Sequence, residues 1–168
     1  MEDSDPMNTE EILTTARQLV AEWVWETETY RPQPHRLDVI LSHNEDLLPI
    51  VVGLRVKRLG NLSAITGLDH GAEKQDLEVL YHFCTGNAVI TLRVHLSRQD
   101  PHVQSLSEVI PSSEVFEREV QEMFGVQFEG LRNPMRLYLP DDWKEGVYPL
   151  RKDTVLESII GREERRLG

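Results

Sequence analysis

Four glutamates form the densest group of potentially reactive side chains in the sequence: Glu114, Glu117, Glu119 and Glu122. Paired carboxylates can carry out acid–base catalysis when their environments hold their pKa values apart. On a helix, however, Arg118 lies one turn from both Glu114 and Glu122, and such pairs usually stabilise an exposed face. We therefore expect Glu114, Arg118 and Glu122 to face solvent, and Glu119 to lie partly buried beside the apolar stripe. Surface charge and partner contacts are favoured over catalysis.

The remaining polar residues do not form a recognisable catalytic or metal-binding pattern. Of the six histidines, only His82 and His95 are expected to be neighbours, and two imidazoles without a third ligand make a weak metal site. No serine lies in a Gly-x-Ser-x-Gly turn, and helix capping accounts for Ser112 or Ser113. Cys84 is the only cysteine, which excludes an intramolecular disulfide and a Cys-ligated iron–sulfur cluster within this chain. Glycine-rich nucleotide loops are absent, so we predict no catalytic, cofactor or metal site.

Length and charge limit the possible classes of protein. The 168 residues fit one domain with an extension, and the net charge of −11 comes without a basic stripe, which argues against nucleic-acid or direct lipid binding. An apolar run long enough to span a membrane is missing, and the acidic start does not resemble a secretory signal, so we expect a cytoplasmic location. Segment Met1–Tyr30 holds eight acidic residues against Arg17 alone, whereas 131–168 is nearly balanced. Different partners for the two ends, or solvation alone, would explain this difference.

Periodicity predicts an α+β domain. Asn8 and Glu11 are spaced as a capping box before a helix that should end ahead of Pro32 and Pro34. A second helix is expected over about Glu45–Lys57. Strands are predicted at Arg36–Ser42, Leu62–Thr66, Leu77–Cys84 and Ile90–Leu96. The last three are joined too briefly for helical crossovers, which favours a mainly antiparallel sheet with flanking helices.

A third helix is predicted over Ser113–Phe124, with Phe116, Val120 and Met123 on its inward face and Gly125 as its stop. Beyond Gly130 the periodicity ends and prolines appear, yet large apolar residues continue. A disordered tail would carry fewer of them. We therefore predict an α+β domain at 1–130 and an extended, partner-binding C-terminal arm at 131–168.

Several segments, taken together, resemble one known family. Residues 117–126 read EREVQEMFGV, which resembles the signature helix of the complex I thirty-kilodalton subunit family, whose members form the C subunit of NADH-quinone oxidoreductase. Segments 78–83 (EVLYHF) and 92–94 (LRV) resemble its central strands, and 149–153 (PLRKD) resembles its terminal motif. The motifs follow in the family's order over roughly Leu62 to Asp153.

The stretch after the signature helix departs from the family pattern. The family usually has His-Pro-Asp-Leu-Arg-Arg there, whereas this chain reads LRNPMR from Leu131 to Arg136, and only Arg136 matches. Met135 and Leu131 therefore receive no role from the resemblance. Segment 139–148 (LPDDWKEGVY) is also similar to membrane-bound nickel–iron hydrogenase relatives. The resemblance thus leaves open whether the complex oxidises NADH, another donor or hydrogen, and which quinone and ion it uses.

The resemblance implies a cofactor-free scaffold subunit in the peripheral arm of a redox complex, on the cytoplasmic side of the membrane. Its partners would be the large, forty-nine-kilodalton or hydrogenase-like subunit and the small iron–sulfur subunit, with the membrane reached only through the complex. Iron–sulfur clusters, FMN and quinone, or nickel–iron, would belong to partner subunits. The partner-binding residues implied by the motifs are Glu117, Arg118, Glu119, Glu122, Phe124, Gly125, Arg136, Trp143, Pro149, Leu150, Arg151, Lys152 and Asp153.

The expected function is thus that of a subunit that is not catalytic alone, within a translocase coupling electron transfer to ion movement. An equivalent hydrogenase subunit is the alternative within the family. From other classes, a freestanding acidic adaptor or a small hydrolase using Glu119 and Glu122 would also fit the composition.

Overall fold

The computed structural model describes residues 8–23 and 27–155. Predictions that fall on the acidic start at 1–7, on Val24 or on the end of the arm at 156–168 lie outside the described residues. In the described part, no helix is long and apolar enough to cross a membrane.

The helices largely follow the sequence pattern. Helix α1 spans Thr9–Trp23, and its capping box is confirmed: Asn8 N–H donates to Glu11 Oε2, and Glu11 N–H donates to Asn8 Oδ1, both at 3.0 Å. A short 3₁₀ turn, Asn44–Asp46, leads into α2, Leu47–Val56, which carries Pro49 in its first turn as expected. Helix α3 spans Ser113–Phe124, as predicted, and ends at Gly125 in the left-handed conformation (φ 74°).

In the described residues, seven strands form two sheets. They are β1 Glu28–Gln33, β2 Arg36–Leu41, β3 Asn61–Asp69, β4 Asp76–Thr85, β5 Ala88–Ser97, β6 His102–Gln104 and β7 Gln127–Glu129. The larger sheet has the order β1-β2-β5-β4-β3, and β6 pairs with β7 in a separate two-stranded sheet. The α+β class is therefore confirmed.

The sheet is mixed rather than simply antiparallel. Strand β1 pairs with β2 antiparallel, but β2 pairs with β5 in parallel, as does β6 with β7. The short connections predicted the meander of β3, β4 and β5, but gave no sign that β5 would return beside β2. Strand β1 was also missed because Pro32 argued against a strand there; it is tolerated in β1, which lies at the sheet edge and is irregular between Tyr30 and Gln33.

The chain divides into two compact units. Unit 1 comprises Met1–Ile65 and Leu80–His95, and unit 2 comprises Thr66–Val79 and Leu96–Gly168, so β3, β4 and β5 each contribute to both. Unit 1 has an apolar core in which one face of α1 and much of α2 are buried together with alternate residues of β2 and β5.

The interior of unit 2 contains many polar groups. Its buried side chains include Asp69, Glu78, Arg98, Ser105, Ser107, Ser113, Glu117 and Glu122, beside apolar residues such as Leu106, Val120 and Phe128. Buried charges are tolerated when they are paired and hydrogen-bonded. The candidate site is built from such pairs.

Candidate functional site

The carboxylate of Glu122, on α3, binds the backbone of the arm. It accepts hydrogen bonds from the N–H groups of Leu137, Tyr138 (2.9 Å) and Leu139 (3.2 Å). Glu122 is buried, with an exposed fraction of 8%. The prediction that Glu122 faces solvent is therefore wrong: the arm covers this side of the helix, which helix periodicity alone could not reveal.

A second contact with the arm is made by Arg118. Its Nε donates to the carbonyl of Met135 at 2.7 Å, and its Nη2 donates to the carbonyl of Arg136 at 2.8 Å. Arg118 is only half-buried, but its donors are used within the chain. Glu119, on the same helix, is also half-buried, as the sequence predicted.

Arg136 and Trp143 form hydrogen bonds within the arm. The Arg136 guanidinium donates to the carbonyls of Pro140 (2.6 Å) and Trp143 (3.0 Å), and the Trp143 indole donates to the carbonyl of Val147 at 2.8 Å. Residues 131–155 contain neither helix nor strand, so these side chains satisfy backbone groups that regular structure leaves unpaired.

Tyr148 and Arg151 contact the C-terminal end of α3. A Cβ added to Gly125 would lie 2.4 Å from the Tyr148 ring, so only glycine allows this approach. Arg151 donates from Nε to the carbonyl of Phe124 at 2.7 Å, and its guanidinium lies 4.6 Å from the centroid of the Tyr148 ring. Leu150 N–H donates to the carbonyl of Met123 at 3.1 Å. Burial, followed by repulsion from Arg98, lowers the pKa of Arg151.

The terminal motif of the arm is attached to Asp69 and Arg98. Asp69, at the end of β3, accepts hydrogen bonds from Lys152 N–H (2.7 Å) and Gly71 N–H (2.8 Å) and pairs with Arg98, which also contacts Asp153. Burial opposes ionisation of Asp69, but these donors outweigh it and hold its pKa below the usual value. We call Asp69, Arg98, Lys152 and Asp153 the latch.

Glu117 lies on another side of α3, fully buried among serines. Its carboxylate accepts from the Ser105 hydroxyl (2.6 Å), Leu106 N–H (2.7 Å) and the Ser113 hydroxyl (3.1 Å). Burial raises the pKa of Glu117, and the three donors only partly offset that effect. The carboxylate thus fixes the loop before α3 to the helix.

The predicted motif residues thus lie largely together in unit 2. Most of them contact the backbone of another motif residue or of a residue next to one. Pro149 is half-buried, whereas the side chains of Leu150, Lys152 and Asp153 are exposed. Asp69, Arg98 and Tyr148 complete the arrangement but were not predicted. The Asp-x-Gly spacing at Asp69 was the available signal, since such a carboxylate often accepts the N–H two residues on.

An open cleft of about 620 Å³ lies between the end of α3, β7 and the arm. Its lining residues are Gln121, Glu122, Gly125, Val126, Gln127, Phe128, Pro134, Arg136, Leu139, Trp143, Lys144, Glu145, Gly146, Val147 and Tyr148. Four predicted motif residues, Glu122, Gly125, Arg136 and Trp143, therefore border one surface.

In unit 1, His82 on β4 contacts Thr91 on the neighbouring strand β5. Its Nδ1 lies 3.0 Å from the Thr91 hydroxyl, and burial, followed by the charge of Arg36, lowers the pKa of His82. Cys84 is a half-buried free thiol.

Comparison with known families identifies the signature. The family described as the 30 Kd subunit of respiratory-chain NADH dehydrogenase matches residues 40–159. The C subunit of the NADH-quinone oxidoreductase from Moorella thermoacetica is 37% identical over 120 residues, covering 70% of this chain and 79% of that protein. Its counterpart from Saccharopolyspora erythraea is 35% identical over 133 residues, covering 77% and 49%.

A hydrogenase relative is similar over a shorter stretch. The membrane-bound hydrogenase subunit beta of Pyrococcus furiosus is 45% identical over 64 residues, which cover 38% of this chain and 37% of that protein. The chain spans less than half the length of several curated relatives that it matches.

Solved structures share the fold. An Nqo5 trypsin-resistant fragment (1–134) superposes with a TM-score of 0.61 at 22% identity, covering 76% of this chain and 99% of the fragment. A chain of an archaeal respiratory membrane complex, the membrane-bound sulfane sulfur reductase, superposes with a TM-score of 0.72 at 21% identity, covering 92% of each. With its signature helix and family match over residues 40–159, this chain belongs to the 30 Kd subunit family of respiratory-chain NADH dehydrogenase.

Proposed function

We propose that this chain is a cofactor-free scaffold subunit in the peripheral arm of an NADH-quinone oxidoreductase-like complex. It docks on the large subunit that borders the quinone site and on the small iron–sulfur subunit. The complex couples electron transfer to ion translocation, and this chain lies on the cytoplasmic side of the membrane, which it reaches only through the complex. FMN, iron–sulfur clusters and quinone belong to its partners.

The observation that carries the proposal is the arm folded onto α3. Glu122, Arg118 and the latch fix 131–155 by hydrogen bonds made within the chain. These contacts leave Met135, Tyr138 and Leu150 more than half exposed. Large apolar side chains presented on a fixed backbone suit binding to another protein, because little further ordering is required.

The partner-binding residues of the motif divide by role under this proposal. Arg118, Glu122 and Arg136 shape the arm from within, and Glu117 fixes the loop before α3. Leu150, Lys152 and Asp153 lie where a partner can touch them. The arm, 131–168, is the main partner-binding segment, and Trp143 and Pro149 support it.

The equivalent subunit of a membrane-bound nickel–iron hydrogenase is the second candidate. It is favoured by the similarity of this chain to the hydrogenase subunit beta over 64 residues. The two candidates differ in what the assembled complex oxidises, and not in what this chain does.

Affinity purification of the tagged chain from membranes of its native source tests the proposal. We expect a large and a small iron–sulfur subunit to co-purify in equal amounts, with NADH-dependent quinone reduction in the first case and hydrogen turnover in the second. The isolated chain should contain no stoichiometric iron, zinc or flavin. A chain that purifies alone from intact membranes, or that carries its own redox group, would contradict the scaffold role.

A further inference from the structure

Two carboxylates in unit 2 approach the same imidazole nitrogen. His70 follows β3 directly, and its Nε2 lies 2.9 Å from Glu78 Oε2 and 3.7 Å from Asp76 Oδ2. Both carboxylates belong to β4 and are two positions apart, so they lie on the same face of that strand. The side chains of His70 and Asp76 are partly exposed, whereas that of Glu78 is fully buried. We call His70, Asp76 and Glu78 the turn cluster.

Backbone hydrogen bonds hold the turn cluster in position. His70 N–H donates to the carbonyl of Asp76 at 3.2 Å, which joins the two ends of the turn between β3 and β4. Within that turn, Lys74 N–H donates to the carbonyl of Gly71 at 3.2 Å, and Gly71 N–H donates to the Asp69 carboxylate at 2.8 Å. The three side chains are therefore carried by a braced turn, and little further ordering is needed for them to bind one ligand.

The spacing of the three donor atoms suits the ligands of one small divalent cation. Zinc lies about 2.0–2.2 Å from nitrogen and oxygen ligands, which places neighbouring ligand atoms roughly 3–3.5 Å apart. The measured separations of 2.9 and 3.7 Å lie close to either end of that range. His70 Nε2 and the Glu78 carboxylate are close enough to share an ion, and Asp76 reaches the same nitrogen from the start of β4.

The charges of the turn cluster favour a divalent cation over a proton. A neutral imidazole donates from one nitrogen only, so His70 Nε2 can serve one of the two carboxylates at a time. A doubly positive ion balances both carboxylates while the imidazole stays neutral. One imidazole with two carboxylates suits Zn²⁺ and similar transition metals better than Mg²⁺ or Ca²⁺, which prefer oxygen ligands alone.

His102 offers an internal comparison, because it also lies beside two carboxylates. Asp100 Oδ1 lies 2.6 Å from its Nε2, whereas Glu129 Oε1 lies 3.7 Å from its Nδ1. The two nitrogens of an imidazole point in different directions, so these carboxylates cannot share one ion with the ring. Both carboxylates are also largely exposed. His102 therefore resembles the turn cluster in composition but lacks its geometry.

We propose that the turn cluster binds one divalent transition-metal ion of the Zn²⁺ type, with His70 Nε2, Asp76 and Glu78 as its protein ligands and water completing the coordination. The ion fixes the turn that follows Asp69, to which Lys152 of the latch is attached. Two of the three ligands are partly exposed, so the ion exchanges with solvent and is lost when the chain is isolated. Histidine spacing did not indicate this site, because two of its ligands are carboxylates. The inference is independent of the scaffold role, since Zn²⁺ is not a redox group.

Isothermal titration of the full chain with ZnCl₂ tests the site, with His70→Ala and His102→Ala as a matched pair. We expect one saturable equivalent for the wild-type chain, the same binding by His102→Ala, and an affinity weaker by at least roughly tenfold for His70→Ala. Asp76→Asn, which changes no buried group, should weaken binding in the same way. No saturable binding by the wild-type chain, unchanged binding by His70→Ala, or equal losses in the two histidine variants would overturn the proposal.

The imidazole NMR signals of the wild-type chain give a second measurement that does not depend on any substitution. Adding ZnCl₂ should shift the ring signals of His70 and leave those of His102 in place, and a chelator should reverse the shift. Signals of His70 that do not move, or a shift of His102 instead, would contradict the assigned ligands. Both experiments use the isolated chain, so their failure would leave the scaffold role intact.

Discussion

At the scale of single residues, Glu122 is the side chain whose charge the arm depends on most directly. Glu122→Gln removes the charge that accepts three backbone N–H groups and turns an amide NH₂ towards those donors. We expect the free energy of unfolding to fall by about 1.5–3 kcal/mol, measured by urea denaturation.

Glu119→Gln is the matched control for that measurement. It makes the same change at a half-buried position of the same helix and should alter the free energy of unfolding by no more than about 0.5 kcal/mol. Equal losses in the two variants would mean that the arm is not held by Glu122.

Glu117 provides a prediction about pH. Burial raises its pKa above the ordinary value of 4.5, so between those two values the folded state binds more protons than the unfolded state. Stability contributed by the protonated form is therefore present below the unfolded pKa and is lost as pH rises through the folded pKa. Relative to Glu117→Gln, which cannot titrate there, the wild-type protein should gain stability as pH falls from 7 towards 4.5. A difference that stays constant or shrinks on acidification would contradict the raised pKa; thermal denaturation at several pH values measures it.

At the scale of elements, the end of α3 depends on a glycine for two separable reasons. Gly125 has φ of 74° and its α-carbon lies against the Tyr148 ring, whereas Gly130 has φ of 81° with open space around it. Gly130→Ala should therefore cost only the left-handed conformation, about 1–2 kcal/mol.

Gly125→Ala should cost more than Gly130→Ala, because the added methyl group also displaces Tyr148. Combining it with Tyr148→Ala should cost less than the sum of the single changes, since the clash is then gone. Chemical denaturation of the four variants measures these differences. Strictly additive losses would show that the contact with Tyr148 contributes nothing.

Helices were predictable from this sequence because their signals are local. The capping box at Asn8, the stop at Gly125 and the spacing of apolar residues fixed α1 and α3 closely. The three-residue strands β6 and β7 are too short to show a period of two, and their pairing depends on residues 25 positions apart, His102 and Gln127. The parallel pairing of β2 with β5 likewise has no local signal.

The sequence predicted most of the residues that form the site, but not which way their side chains face. Family motifs named most of the residues that hold the arm, yet a helical wheel placed Glu122 on the solvent side. Nothing within Ser113–Phe124 reveals that a later segment covers that side. Arg98, which the motifs did not include, is a cation that becomes buried only because Asp69 and Asp153 lie beside it.

At the scale of the whole molecule, the latch joins Lys152 and Asp153 of the arm to Asp69 and Arg98 of unit 2. Arg98 and Asp69 have exposed side-chain fractions of 5% and 2%, whereas that of Asp153 is 55%. Arg98→Met leaves the Asp69 carboxylate buried without its cation, and we expect a loss of about 3–5 kcal/mol in the free energy of unfolding. Asp153→Asn, at the exposed end of the same network, should cost less than about 1 kcal/mol.

The double variant Asp69→Asn with Arg98→Met decides the cause of that loss. Removing both charges should recover part of the stability, because no isolated charge then remains in the interior. If the double variant is as unstable as the sum of its parts, packing of the arginine stem, rather than the charge pair, holds the latch.

The pairing of β2 with β5 has a consequence for how the polypeptide acquires its structure during synthesis. Leu37 lies beside Ile90, so the first helices and strands leave the ribosome well before the central strand that completes their sheet. Unit 1 therefore depends on contacts between residues that are far apart in the sequence, and topologies of this kind fold slowly. Until β5 arrives, β2 lacks its parallel neighbour, and apolar surface exposed in this way makes a partly folded chain prone to aggregation. No contiguous fragment ending before β5 can reproduce unit 1, and stalled chains of that length should be more sensitive to protease than chains that extend past Ser97.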